Sequence, residues 1–523
     1  MKHFFTFLAA VLFTATTLAQ GNLSVGSGAS LTVSETGYLT ASGTFNNTGS
    51  VTLNSTADNF SSLIVQGTAT GDITYNRYVN VYDDANGGGW DLVGSPTDMT
   101  ITDFIAANGA NIEILGTEYA FSQYNNVLDQ WERYATDAQS GSFTTGQGYS
   151  MATVTQDPPP PGAAGTAVSF TGAMQTTSQS INIINNNGVN GVGRRWNLVS
   201  NPFPSYINGN TTAGATNFID ANTAVIDGNY GAVYGWNGAS YTMYNLLDEA
   251  FSIAPGQGFW VAALNETNTF LNFTAAMRTT TGTGDFVLGP EPLTYHVALK
   301  LYNGETQKAN TDFYFRDGLS LDLDPWYDAG AFNQSTKLST RLPGGSQETA
   351  FARNAMGMEA IQNTRVPLEI RQNAGQAFSL SMEEMELPED IYVYLEDTLN
   401  GTLTSLKDQD FELVAQSDLS GADRFFVVFK ENSVLSSGDT LGINALSVYK
   451  ANKDNFVTIA GITPYLGQLD VRLYSMLGQI VREKALNPTT PKQAVSTQGL
   501  ASGLYIVQIN SGNQVFVEKI IVK

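Results

Sequence analysis

The sequence predicts an all-β, multidomain protein: short solenoid-like repeats at the N-terminus, tandem β-sandwich domains, and a small β-sandwich at the C-terminus. Three observations carry this. Short runs of alternating apolar and polar residues recur along the chain, separated by Gly, Asn, Asp and Ser. Glycine accounts for 51 residues while charged residues make up only 14%, a turn-rich composition. At 523 residues the chain is longer than one core supports, so several domains are expected.

Charge and cysteine content remove several function classes. Acidic residues outnumber basic ones 48 to 25, for a net charge of −23. A surface of that sign repels phosphate backbones, so nucleic acid is not an expected partner. There is no cysteine, which excludes disulfides, thiolate metal sites and a lipid-bearing cysteine. The histidines are His3 and His296 alone. That excludes a clustered-histidine zinc site and disfavours a Ser-His-Asp triad.

Residues 1–19 read as a secretory signal. Lys2 supplies the positive start, Phe4 to Phe13 the apolar core, and Thr17-Leu18-Ala19 the small residues before cleavage. The apolar run is too short to span a bilayer, and no later segment reaches that length, so no transmembrane segment is expected. Residues 20–78 form a β-repeat region. Leu23-Ser-Val25, Leu31-Thr-Val33, Leu39-Thr-Ala41 and Val51-Thr-Leu53 recur, with Leu23, Leu31 and Leu39 evenly spaced. One short run per rung suits a β-solenoid; a plain β-meander is the alternative.

Residues 79–290 carry a duplication. Trp90 to Pro96 (WDLVGSP) matches Trp196 to Pro204 (WNLVSNPFP). Thr145 to Met151 (TGQGYSM) matches Pro255 to Val261 (PGQGFWV), and Val168 to Thr177 matches Leu271 to Thr280. Three blocks in the same order, at nearly constant offset, predict two homologous β-domains, 79–188 and 189–290. Pro158 to Pro161 read as a stiff insertion in the first copy. Trp90, Trp196, Trp236 and Trp260 are candidates for stacking on a sugar ring, along with Tyr149, Tyr241 and Phe259. The competing expectation is that these aromatics build cores. The Gly-Gln-Gly blocks lack the lysine of a phosphate loop.

Residues 291–445 predict a further sandwich, with alternating strands at His296 to Tyr302, Asp312 to Arg316, Ile391 to Leu395 and Arg424 to Phe429. Asp322, Asp324 and Asp328 in LDLDPWYDAG offer closely spaced oxygen ligands for calcium; a solvated turn is the alternative. Asp83, Asp84 and Asn86 are a weaker case of the same kind. Glu383, Glu384, Glu386, Glu389 and Asp390 form an acidic cluster, read as a solvated turn in preference to a catalytic pair. Arg194 and Arg195 read as a solvent-facing pair beside a turn. No G-x-S-x-G, H-E-x-x-H or Walker-type motif occurs.

Residues 446–523 alternate short β-type runs with glycine turns. LYSMLGQIV around Gly478, the L-x-x-G-x-Y-x-V core from Leu500 to Val507, and the closing KIIVK occur in that order. This segment resembles the type A C-terminal sorting domain of the type IX secretion system, found on Bacteroidota-type secreted surface proteins. Its matching positions here are Gly478, Gly503, Tyr505, Val507, Lys519 and Lys523. Where the family opens with a Tyr-Pro-Asn-Pro-like segment, this chain has Tyr449-Lys450-Ala451-Asn452. The resemblance implies passage across the outer membrane by the type IX machinery, to the cell surface or the extracellular space. Residues 291–445 in turn resemble a non-catalytic module that often precedes this tail, sharing the L-x-L-x-N-G-E turn, YLEDT at Tyr394 to Thr398, and RFFVVF. The expected function is therefore non-catalytic: an adhesin or envelope component. The alternative is a carbohydrate-binding accessory protein, with a glycan or a neighbouring cell surface as partner.

Overall fold

The structure, a computed structural model, describes residues 11–13, 19–83, 88–154, 165–191, 194–236, 241–280, 282, 295–333, 335–345, 348–388, 391–431, 446–450, 455–460, 462, 469–476, 478–487, 490, 492–511 and 514–522. His3, Asp84, Asn86, Pro158 to Pro161, Glu389, Asp390 and Lys523 lie outside the described residues. The chain divides into two compact units. The first holds residues 1–294, 323–334 and 351–355; the second holds 295–322, 335–350 and 356–523.

The first unit opens with a parallel solenoid. Its strands follow in turn as β1 (Val11–Phe13), β2 (Ala19–Gln20), β3 (Leu23–Val25), β4 (Ser30–Val33), β5 (Tyr38–Ala41), β6 (Phe45–Asn47), β7 (Ser50–Asn54), β8 (Ser62–Val65), β9 (Ala69–Thr70) and β10 (Ile73–Asn80). Each pairs in parallel with the strand three places on, giving three sides: β1-β4-β7-β10, β2-β5-β8 and β3-β6-β9. Leu31 lies beside Val51, Leu39 beside Leu63 and Leu23 beside Phe45. The expectation of one run per rung is corrected here. Leu23, Leu31 and Leu39 sit on three successive sides, so three runs make one rung. Their inward side chains stack on those of the next rung, and Val33, Ala41, Phe45, Leu53 and Val65 are buried. β1 lies inside the stretch read as a signal, and its backbone continues the solenoid.

The duplicated region follows. The first copy contributes β11 (Asp91–Val93), α1 (Ile101–Asn108), β12 (Ile114–Leu115), β13 (Glu118–Asn125), β14 (Gln130–Ala135), β15 (Tyr149–Met151) and β16 (Gly165–Gly172). The second contributes β18 (Trp196–Ser200), β19 (Tyr206–Asn208), α2 (Phe218–Asn222), β20 (Val233–Trp236), β21 (Tyr241–Tyr244), β22 (Ser252–Ile253), β23 (Gly258–Ala262) and β24 (Thr269–Phe273), and also β17 (Gln179–Ile183), which the division at 188 placed with the first copy but which pairs with β24. The same pairings recur. An opening strand meets a closing strand, β10 with β16 and β17 with β24. The strand bearing the Trp-block pairs with the strand after Gly-Gln-Gly, β11 with β15 and β18 with β23. That strand then pairs with a hairpin, β13–β14 or β20–β21.

A helix is clamped to the closing strand in the same way in both copies. The buried Asn108 amide donates to Phe104 O and Ser169 O, both at 2.9 Å, and its oxygen accepts from Ser169 N at 2.8 Å. Asn222 repeats this with Phe218 O at 2.8 Å, Asn272 O at 3.0 Å and Asn272 N at 2.8 Å. A side-chain amide thus satisfies both the last turn of the helix and the backbone of a strand, groups that would be costly to bury unpaired. Thr100 and Asn217 cap the two helices by accepting from Asp103 N and Asp220 N.

The two Gly-Gln-Gly loops interlock reciprocally. Gly94 N donates to Gly256 O at 2.8 Å, and Ser200 N donates to Gly146 O at 2.7 Å. Each loop therefore receives the other copy's Trp-block strand. The first glycine of each loop, Gly146 (φ +79) and Gly256 (φ +61), is in the left-handed region. The second lies against the other copy's backbone. A Cβ on Gly258 would stand 2.7 Å from Leu92 C, and one on Gly148 would stand 2.6 Å from Leu198 Cγ and 2.8 Å from Val199 O. These glycines are conformational and steric requirements of the interlock.

In the second unit, antiparallel strands Tyr295–Asn303, Thr306–Phe315 and Ala377–Glu386 pair in a row, as do Leu338–Thr340, Asn363–Ile370, Phe425–Glu431 and Ile391–Asp397. Val297, Leu299, Phe313, Leu368, Val393 and Val427 fill the core between them. Asp397 is fully buried. Burial raises its pKa, but the paired Arg424 nitrogens at 2.8 and 2.7 Å outweigh that and hold it below the usual range. The C-terminal segment has a core of its own around Val457, Leu469, Val471, Val507 and Ile509. It lies between a sheet of Ser447–Tyr449, Phe456–Ala460 and Lys492–Ser496 and a four-stranded sheet ending in Gly503–Ser511 and Gln514–Val522.

The interlock makes a prediction. Gly258→Ala and Gly148→Ala are each expected to destabilise the first unit by about 1–3 kcal/mol through overpacking against the strand of the other copy. Gly26→Ala, whose Cβ would meet nothing within 4 Å, is expected to have little effect. Calorimetric Tm values for the three variants measure this; equal values would exclude the interlock.

Candidate functional site

The interlock brings one hairpin of each copy into a single aromatic run. Tyr124 on β13 pairs directly with Trp131 on β14, ring centroids 5.5 Å apart. Trp236 on β20 pairs with Tyr241 on β21, 4.9 Å apart. Such cross-strand aromatic pairs stabilise the hairpins that carry them. Trp260 on β23 stands between them, 4.7 Å from Tyr124, 5.7 Å from Trp131 and 5.4 Å from Phe332. Phe332 stacks on Tyr241 at 4.2 Å. The run therefore passes from Trp131 through Tyr124, Trp260, Phe332 and Tyr241 to Trp236. Trp260 is only 2% exposed, whereas Trp131 is 41% exposed.

The Trp131 end carries a polar rim. Tyr124 donates its hydroxyl to Asp129 Oδ1 at 2.7 Å, and Arg194 pairs with Asp129 at 2.8 Å. Burial, then the Asp129 hydrogen bond, push the Tyr124 phenol far above its ordinary range. Glu132 accepts from Gln123 at 2.8 Å and from Asn125 at 2.6 Å. The hairpin tip is held by Asn125 Oδ1, which accepts Val127 N at 3.0 Å and Leu128 N at 3.2 Å. Asp129 adopts φ 54, an uncommon conformation for a residue with a side chain. Asn126 ties the tip to the second copy, donating to Ile184 O at 3.0 Å and accepting from Asn186 at 2.8 Å.

The residues singled out from sequence fall in several places. Trp196 is buried at 7% exposure, packed by Tyr230, Tyr234 and Phe332. Neither it nor Trp260 has a free face for a sugar. Tyr149 and Phe259 are core residues as well. Trp90 is half-buried, edge-on to Tyr82 at 5.7 Å, with the Arg133 guanidinium 5.9 Å from its ring. Trp236 and Tyr241 belong to the aromatic run; burial pushes the Tyr241 phenol up to about 12. Tyr124, Trp131 and Phe332 were missed from sequence. The available signal was the aromatic on each side of the turn in YNNVLDQW, which matches the arrangement around WNGASY.

Asp322 falls in the second unit, and Asp324 and Asp328 in the first. Asp328 is buried and accepts Asp324 N and Ala355 N, both at 2.7 Å, so one oxygen serves its own turn and the other the strand Phe351–Met356. Among the described residues no group of three or more His, Asp or Glu is placed to hold a metal ion. Asp83 pairs by its backbone with Gly88. Glu383 accepts from Lys300 at 2.6 Å and from the Tyr302 hydroxyl, which lower its pKa. Arg194 and Arg195 are ion-paired, with Asp129 and Asp227; the Arg194 side chain is 42% exposed and that of Arg195 23%. His296 pairs with Asp312 at 3.1 Å and stacks on Tyr314.

In the C-terminal segment, Gly478 forms the turn between Leu469–Ser475 and Ile480–Leu486, and Gly503 begins the next strand. Tyr505 is buried and donates to Ala501 O at 2.9 Å, and Val507 is fully buried. Lys519 lies opposite Ile506 on the last strand.

A family model described as "Domain of unknown function (DUF8693)" matches residues 8–429. The chain belongs to this family. A second model, "Secretion system C-terminal sorting domain", matches residues 452–523. The tail is thus a type IX sorting domain, and the protein is exported across the outer membrane to the cell surface or extracellular space, through interaction with the type IX machinery. No curated protein matches the chain. Among solved structures, "Biofilm associated protein - BSP domain" is similar at 10% identity, covering 87% of this chain and 96% of that one, with a TM-score of 0.17. Among the described residues no helix is long and apolar enough to cross a membrane.

Asp328 gives a pH prediction. Desolvation raises its carboxyl from 3.8 to about 7, outweighing the two backbone hydrogen bonds. A raised folded-state pKa contributes stability that is full below the unfolded value and is lost as pH rises through about 7. The difference in Tm between the protein and Asp328→Asn is therefore expected to shift against the unsubstituted protein between pH 4 and 8. A difference independent of pH would show that Asp328 does not titrate in this window.

Proposed function

We propose that the exported protein acts by binding, as an adhesin or a structural component of the cell envelope. The observation that supports this most directly is the aromatic run. It is carried on two interlocked domains, one end is exposed at Trp131, and the hairpin holding that end is fixed by hydrogen bonds before any partner arrives. A surface ordered in advance loses less conformational entropy on binding. The sorting tail supports the location at which such binding would operate.

The reading is tested in the producing cell. A chain lacking residues 446–523 is expected to accumulate in the periplasm, and cells making it are expected to lose attachment or aggregation to the same degree as cells lacking the protein. Fractionation and an attachment assay read the two effects. Unchanged attachment in both strains would overturn the adhesive reading. Release of short products from a polysaccharide by the purified exported protein would replace it with an enzymatic one.

A further inference from the structure

We infer that the Trp131 end of the aromatic run is a docking site for an uncharged, β-1,4-linked, gluco-configured polysaccharide. This rests on the reading of the protein as a binding protein and names the ligand class.

Four features lead to this class. The first is an exposed indole at the outer end of a chain of ring contacts that runs inward through half-buried Tyr124 to buried Trp260. Trp131 is 41% exposed on β14, whose neighbours Gln130, Glu132 and Arg133 are also exposed. Large aromatics left at a surface in contact with one another mark a binding site more often than a solvated face. The second is the chemistry of the rim. Asp129 and Glu132 already hold Tyr124, Arg194, Gln123 and Asn125, and a carboxylate has acceptor sites for more than two partners. Sugar hydroxyls are donors that fit the remaining sites, while the C–H face of the ring fits the indole.

The third feature is charge. Arg194 offsets Asp129 and Arg133 offsets Glu118 at 3.7 Å, while Glu132 is held only by the neutral Gln123 and Asn125, so the rim keeps a negative charge. The chain as a whole carries −23, so uronate-rich or sulfated chains would be repelled. An uncharged glycan is left. The fourth is geometry. Gluco-configured pyranoses carry their ring substituents equatorially, which leaves both faces apolar, and the β-1,4 linkage presents such faces repeatedly along the chain. The hairpin that would meet them is braced on the second copy by Asn126, so its rings keep one arrangement.

The test uses the exported protein purified whole. It is mixed with insoluble cellulose and chitin, with mannan, and with alginate as a polyanionic chain, and bound fractions are measured. Trp131→Ala is compared with Trp131→Phe and with Phe270→Ala, a control because Phe270 is 59% exposed on β24. Equal Tm values confirm that all variants fold. The expected result is binding to cellulose or chitin, weakened about tenfold or more by Trp131→Ala, largely retained by Trp131→Phe, and unchanged by Phe270→Ala. Equal loss in Phe270→Ala, no loss in Trp131→Ala, or binding to alginate or mannan alone would overturn the proposal. If the protein binds no neutral glycan yet still supports cell attachment, the ligand class falls and the adhesive reading stands. If it does neither, both fall.

Discussion

The first unit depends on a close approach of the Gly-Gln-Gly loop of each copy to the Trp-block strand of the other, with no room for a side chain on the loop's second glycine. At Gly148 and Gly258 the loop of one copy lies so close to the strand of the other that a single added carbon would overlap it. The hydrogen bonds of Gly94 and Ser200 to Gly256 and Gly146 fix the register of that contact. Everything at the aromatic run follows from it. Tyr124 and Trp131 belong to one copy and Trp260 to the other, so they meet only because the copies are locked. Two sandwiches joined by a flexible linker would present two separate aromatic pairs. Interlocked, they share one chain of ring contacts, exposed at Trp131 and buried at Trp260.

Buried polar groups in this unit are arranged to serve the same assembly. Asn108 and Asn222 each join a helix end to a strand, and neither amide is left with an unsatisfied donor. Arg353, from the short segment of residues 351–355 that belongs to this unit, places its guanidinium on Asp248 at 2.6 Å, Asn245 at 3.0 Å and Met243 O at 3.1 Å. A buried guanidinium without its carboxylate would cost several kcal/mol, roughly 3–5. The bidentate geometry offsets that cost and ties a distant part of the sequence to the second copy. In a chain with no cysteine, contacts of this kind, together with apolar packing, take the place of covalent staples.

The solenoid shows how far local pattern carries and where it stops. The alternation in Leu23-Ser-Val25 and its repeats identifies strands and their inward faces, and the structure keeps both. It does not identify how many strands make a turn. That depends on corners such as those between β4 and β5, whose angles are set by packing between rungs. The calcium expectation at Asp322, Asp324 and Asp328 shows a similar limit. Spacing placed three carboxylates near one another in sequence, but Asp328 is engaged by the N–H groups of Asp324 and Ala355, the latter well beyond that loop.

The sequence by itself determined the all-β class, the duplication and the export tail. Each of these is written in residues close together or in blocks that match in order: period-two alternation, the two Trp-blocks and Gly-Gln-Gly loops, and the spacing of Gly478, Gly503 and Tyr505. The tertiary structure alone decided which aromatics are core and which form a surface. Trp196 and Trp131 each stand on a short strand, yet one is enclosed by Tyr230, Tyr234 and Phe332 and the other is the exposed end of a run of ring contacts. The physical reason is that burial of a side chain depends on what the rest of the chain packs against it. Trp131 meets Tyr124 of its own hairpin and Trp260 of the other copy, whereas Trp196 is closed in by Tyr230 and Tyr234 of its own copy and by Phe332 from a distant segment.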